Sequence, residues 1–109
     1  MTAKRIARKE TSKMSLLTDP SHPGEVLSEL YLEPLDMKAT TLAAHLGVPH
    51  PRIERLLEGQ STLDADIAIR LARFFGTTPE YWLNLQRNRD LSHARKTIDV
   101  SSIKPLEAG

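Results

Sequence analysis

Apolar residues recur along this chain at the spacing of short helices, and glycine or proline closes each run. Val26, Leu27, Leu30 and Tyr31 repeat at helical spacing after Ser21 and His22. Pro23 suits a first turn, Glu25 the positive dipole end, and Pro34 is expected to end this helix. The segments Thr40 to Leu46 and Pro49 to Leu57 predict a second and third helix, with Gly47 where the chain must turn. Pro49 and Pro51 fit only a first turn, whose N–H groups have no intrahelical acceptor, so they mark a start. Asp64 is expected to cap a fourth helix with Ala68, Leu71, Ala72 and Phe75 on one face and Gly76 at its end. Thr78, Pro79 and Glu80 open a fifth, carrying Tyr81, Trp82, Leu83 and Leu85. Trp82 is expected to anchor the core, with a partner for its indole N–H. Ile98 and Val100 alternate with polar residues, and Ile103 and Leu106 follow, a pattern too short to define a strand. A final core segment, a dimer contact and a partner surface all remain open for them. The first 20 residues carry no sustained period and predict a mobile tail.

The sequence of 109 residues suits one all-α domain, expected over residues 21–91 between a tail of residues 1–20 and an extension of residues 92–109. Without cysteine there is no disulfide, thiol nucleophile or thiolate metal site. No long apolar run and no signal peptide stand out, so a cytoplasmic protein without a membrane partner is expected. Charge is segregated. Residues 1–20 hold five lysines and arginines against two acids, residues 86–109 five against three, and residues 21–85 five against nine. An acidic domain with basic ends can attract phosphate only through local patches.

Catalysis finds little footing. Asp64 and Asp66 stand at a helix start where the dipole explains them, and no serine–histidine constellation suggests a nucleophile. His22, His45, His50 and His93 are scattered, and the step from His45 to His50 crosses a turn rather than forming an i,i+4 pair. No enzyme activity, metal or cofactor is expected.

The stretch from Ala39 to Glu58 carries the most information, because its spacing is that of a helix-turn-helix. Ala43 is small where two helices cross, Gly47 falls four residues later at the turn, and Ile53 follows six later as a buried anchor. Leu42, Leu46, Val48, Leu56 and Leu57 supply apolar contacts around them. Such a unit lets the first residues of its second helix enter a DNA major groove.

With these residues in place, the chain resembles the HigA-type antitoxins of the Cro/C1-like helix-turn-helix group. The resemblance rests on His22-Pro23-Gly24-Glu25-Val26-Leu27, Tyr31-Leu32-Glu33-Pro34-Leu35, Leu42-Ala43, Gly47-Val48, Arg52-Ile53, Arg70-Leu71-Ala72 and Trp82-Leu83-Asn84-Leu85-Gln86, and runs from about His22 to Leu91. It implies a five-helix, lambda-repressor-like domain that dimerises and binds double-stranded operator DNA of its own operon. It also implies a cognate toxin partner, a RelE-like mRNA-cleaving protein, neutralised by binding. A solitary regulator without a toxin, and a protein-interaction module using the motif only as scaffold, are the alternatives.

Carried over residue by residue, the resemblance puts His50 and Pro51 where the group reaches base edges. Arg55 is then the first base contact and Arg52 the first phosphate contact, because arginine pairs bidentately with guanine or holds phosphate. Thr41 and the loop residues Gln60, Ser61 and Thr62 could donate to phosphates. The alternative for both arginines is a surface ion pair with Glu54 or Glu58, worth at most about 1 kcal/mol. The chain departs from the group's pattern at Lys38 and Ala39, where a capping serine and a glutamine are usual.

Overall fold

Five helices and no strand form among the described residues of the computed structural model, which are residues 20–106. The basic tail expected over residues 1–20 lies, except for Pro20, outside them. Helix α1 is a continuous run of three parts: an α-turn Pro23–Val26, a π-helical stretch Leu27–Leu32 and a closing turn Glu33–Leu35. Helices α2 Ala39–Leu46, α3 His50–Leu57, α4 Ala65–Phe75 and α5 Pro79–Thr97 follow. The second and third helices start within one residue of the positions that the sequence predicts.

Local chemistry sets most of the helix ends. Asp64 accepts from the Ile67 N–H at 3.0 Å and Thr78 from the Tyr81 N–H at 3.1 Å, so both predicted caps form. At the other ends an amide two or three residues past the helix bonds back to a carbonyl five positions earlier: Met37 to Leu32, Val48 to Ala43, Gln60 to Arg55 and Thr77 to Ala72. This closure needs a left-handed residue. Gly47, Gly59 and Gly76 supply it without a Cβ penalty, whereas α1 uses Asp36 at φ 52°. Helix α2 has Lys38 at its N-cap and no side-chain cap, as the absence of a serine there implies.

Two expectations for α1 need correction. Pro34 does not end it; the helix passes through to Leu35. A proline at position 34 has no N–H to give the Leu30 carbonyl and its ring crowds that carbonyl, and the ladder relaxes to wider spacing, with the Glu33 N–H bonding to the Ser28 oxygen. Leu30, placed on the apolar face by the α-helical period, is exposed. In an α-helix it would lie roughly 60° from Leu27, but at the roughly 80° per residue of a π-helix it turns away while Leu32 swings in.

Leu27, Leu42, Ile53, Leu56, Leu71 and Trp82 form the centre of the core and are essentially inaccessible to solvent. Helix α2 packs on α3, α4 on α5, and α1 lies across α3 and α5. Trp82 is buried as expected, and its indole N–H donates to Thr77 Oγ1 at 2.7 Å. Tyr31 and Phe75 surround it with ring centroids 4.9 Å apart, Tyr31 being 5.0 Å from Trp82. The Tyr31 and Tyr81 hydroxyls share a hydrogen bond at 3.2 Å, and burial above all holds the Tyr81 phenol well above its ordinary pKa.

Helix α5 continues past Leu91, crossing the boundary expected there for an extension. Its second half carries only Leu91 and Ala94 among polar residues, so no apolar period announces it. Beyond Thr97 the chain is irregular, and Ile98, Val100, Ile103 and Leu106 are exposed, so they form no final core segment.

Candidate nucleic-acid interface

The turn joining α2 to α3 occupies only Gly47, Val48 and Pro49. Its shortness fixes the crossing, because Ala43 is buried where a larger side chain would hold the helices apart, and Ile53 and Leu56 point into the core from α3. The opposite side of α3 is left to solvent, presenting His50, Pro51, Glu54, Arg55 and Glu58. Thr41 is exposed in the first turn of α2. The reading side of a helix-turn-helix thus follows from which α3 residues the core claims.

Arg55 stands on the solvent side of α3. Among the described residues its guanidinium has no hydrogen bond and no ion pair, so the pairing with Glu54 or Glu58 does not form. Glu54 instead approaches His50, its Oε1 lying 3.4 Å from Nδ1. An unengaged guanidinium one turn into the helix keeps its donor fork for guanine O6 and N7, or for phosphate.

Arg52 is engaged, though with partners other than the glutamates of the alternative reading. Its Nη1 donates to Asp66 Oδ2 at 2.8 Å and its Nη2 to Asp64 Oδ2 at 3.1 Å. Asp66 spends its other oxygen on Arg70, whose Nε lies 2.9 Å from Oδ1, and Arg70 Nη1 donates to the Leu46 carbonyl at 2.7 Å. A chain of charge-assisted bonds therefore runs from the first turn of α3, through the start of α4, to the last carbonyl of α2. The bonds from Arg70 and then Arg52 hold the Asp66 carboxyl below the usual carboxylate range, and Asp66 in turn raises Arg52. Asp66 and Arg70 carry a sequence signal only as an i,i+4 pair; the link to Arg52 spans 14 residues and has none.

The loop after α3 is fastened from two sides. The Leu63 N–H donates to Gln86 Oε1 at 2.7 Å in a buried bond, and Gln86 Nε2 donates onward to Asp90. The Ser61 carbonyl accepts from His22 Nε2 at 3.0 Å, while His22 Nδ1 accepts from the Gly24 N–H at 2.9 Å. Together these partners require the neutral imidazole with its proton on Nε2. Burial, with Arg89 adding to it, lowers the His22 pKa despite the opposing pull of the Ser61 carbonyl. Gln60 and Thr62 are exposed at the loop tip, and Ser61 is half-buried.

The histidines serve separate ends. His22 caps α1, His50 faces Glu54, and His45 stacks on Phe74 with centroids 4.8 Å apart. No three metal-ligating side chains converge among the described residues. No helix among them is long and apolar enough to cross a membrane.

Comparison with known proteins agrees with this geometry. Residues 29–82 match the helix-turn-helix family model. Virulence-associated protein I of Dichelobacter nodosus is 43% identical over 86 residues, which cover 78% of this chain and 80% of the relative. A HigA-family addiction module antidote protein from Coxiella burnetii superimposes with a TM-score of 0.76 at 41% identity, covering 83% of this chain and 100% of that one. PA4674 from Pseudomonas aeruginosa, solved in complex with its operator DNA, gives 0.76 at 36% identity, covering 80% and 97%.

Proposed function

The chain belongs to the HigA-type antitoxin family of helix-turn-helix proteins, and from that premise we propose that it is a dimeric antitoxin and autorepressor of its own operon. In this reading α3 enters the major groove of operator DNA, and the protein neutralises a RelE-like mRNA-cleaving toxin by binding it. The observation that carries the DNA half is the solvent side of α3, where Arg55, beside His50 and Pro51, has no partner among the described residues. Arg55 reads a base, His50 and Pro51 shape the contact, and Thr41, Gln60, Ser61 and Thr62 meet the phosphates. The operator complex of PA4674 supports the same placement for this chain. Binding as a homodimer sets the two recognition helices about 34–36 Å apart, one turn of DNA. No catalytic step enters this reading.

A gel shift on the chain's own upstream DNA, against a scrambled duplex and at two salt concentrations, tests the repressor half. A salt-sensitive shift confined to the upstream fragment is expected, and Arg55→Ala should weaken it by about 1–3 kcal/mol. No specific shift in either salt refutes direct operator binding by the protein alone, and an unchanged Arg55→Ala removes that residue from base readout. Co-expression with the neighbouring gene tests the toxin half: growth rescue and complex formation support it, whereas a harmless neighbour leaves a solitary regulator.

A further inference from the structure

Arg52 stands in the first turn of the recognition helix, where an arginine would ordinarily be assigned to DNA. The structure gives it three hydrogen bonds to Asp64 and Asp66, at 2.8, 3.1 and 3.3 Å. Reaching a phosphate would break them and bare two carboxylates at the edge of a polyanion. Taken with Arg70, the cluster holds two cations and two anions, so it offers DNA no net charge. It does have mechanical reach: Asp64 caps α4 through the Ile67 N–H, and Arg70 grips the Leu46 carbonyl just before the Gly47 turn. The start of α3, the start of α4 and the end of α2 meet at this one set of side chains.

We propose that Arg52 is a positioning residue, which with Asp64, Asp66 and Arg70 forms a charge-neutral strut that fixes the recognition helix against the turn and leaves Arg55 as the cation that meets DNA. This rests on the operator-binding reading for its consequence, but the strut itself is a property of the free protein. The strut requires a planar fork that spans two carboxylates, which arginine has and lysine lacks. A phosphate contact requires only the charge.

The sign of one substitution separates the two roles. Asp66→Asn removes a negative charge near DNA. If Arg52 serves phosphate, releasing it should tighten operator binding and steepen the salt dependence by about one unit of slope. If Arg52 is a strut, the same change should weaken binding by about three- to fivefold with the slope unchanged. Arg52→Lys, which keeps the charge, should weaken binding similarly. Amide hydrogen exchange on the DNA-free protein supplies the second arm, with circular dichroism confirming that each variant is folded. The Arg52 and Ile53 amides at the start of α3 should exchange about threefold faster or more in Asp66→Asn and Arg52→Lys. Unchanged exchange in both variants overturns the strut whatever DNA does, and tighter binding with a steeper slope overturns it in favour of a phosphate contact. A wild-type protein that fails to shift its operator would sink the repressor reading, and the exchange arm would still decide the strut.

Discussion

Gly24→Ala sets two effects of known sign against each other. Gly24 lies in the first turn of α1 with an ordinary negative φ, so intrinsic helix propensity favours alanine there by up to about 1 kcal/mol. Packing forbids it. A methyl group at this position would sit 1.9 Å from the Leu56 carbonyl oxygen, 2.7 Å from its carbon and 3.1 Å from Leu57 Cα. These are backbone atoms of α3, so no rotamer change relieves the overlap. Restoring ordinary contact demands that α1 and α3 part by about 1.5 Å, which opens the layer where Leu27 and Leu56 are fully packed. Overpacking against a rigid neighbour costs about 1–3 kcal/mol and sometimes more, so the net loss should be about 2–3 kcal/mol. That is a large share of the 5–15 kcal/mol or so typical of a domain. Urea unfolding, followed by the fluorescence of the single tryptophan, should show the midpoint falling by about 1–2 M at unchanged slope. Gly76→Ala is the control, since nothing lies within 4 Å of its Cβ and only the left-handed φ of 72° opposes it, for about 1–2 kcal/mol. A midpoint for Gly24→Ala at or above wild type would refute the close approach of α1 to α3.

Three further outcomes are expected. Asp36→Gly should raise stability by about 0.5–1 kcal/mol, because Asp36 closes α1 at φ 52° where glycine bears no Cβ penalty; thermal unfolding checks this. Gln86→Leu should cost about 1–3 kcal/mol in urea unfolding by orphaning the buried Leu63 N–H, although it adds apolar surface. His22 contributes stability that is fully present above its unfolded pKa near 6.5 and is lost as pH falls from there through its lowered folded value, since the unfolded chain takes up the proton first. Urea midpoints at pH 7.5 and pH 5 should therefore diverge in the wild type and converge in His22→Gln.

The features legible in the sequence are those decided within one or two helical turns. Asp64, Thr78 and Gly76 mark their helix ends because a cap needs only its own neighbouring amides, and Trp82 is recognisable because so large an apolar surface has nowhere else to go. The features that escaped depend on distant residues or on hidden geometry. Arg52 reads as a DNA ligand, and nothing local signals that α4 folds back to bring Asp64 and Asp66 beside it. His22 reads as a residue before a helix start, with no sign that its far nitrogen holds a carbonyl 39 residues away. Leu30 follows the α-helical period faithfully, but the helix around it does not. The second half of α5 has no apolar stripe to betray it, and the alternation of Ile98 and Val100 finds no partner strand among the described residues. The exposed side of α3 was legible as a set of residues, whereas the bonding of Arg52 to Asp64 and Asp66 required the fold.

The π-helical stretch of α1 acts as a vernier. A regular helix has one phase along its whole length, so turning one end to suit a neighbour turns the other by the same angle. Each residue absorbed by the wider turn instead adds about 20° less rotation than an α-helical residue, so the two ends of α1 can be dialled separately. The leading end is set by Gly24 against the Leu56 carbonyl, and the trailing end by Tyr31 against Phe75 and Trp82. Loss of one residue between them would be offset in rotation by about four residues returning to the α-helical turn, so α1 could shorten here while the recognition helix and the aromatic cluster keep their facing.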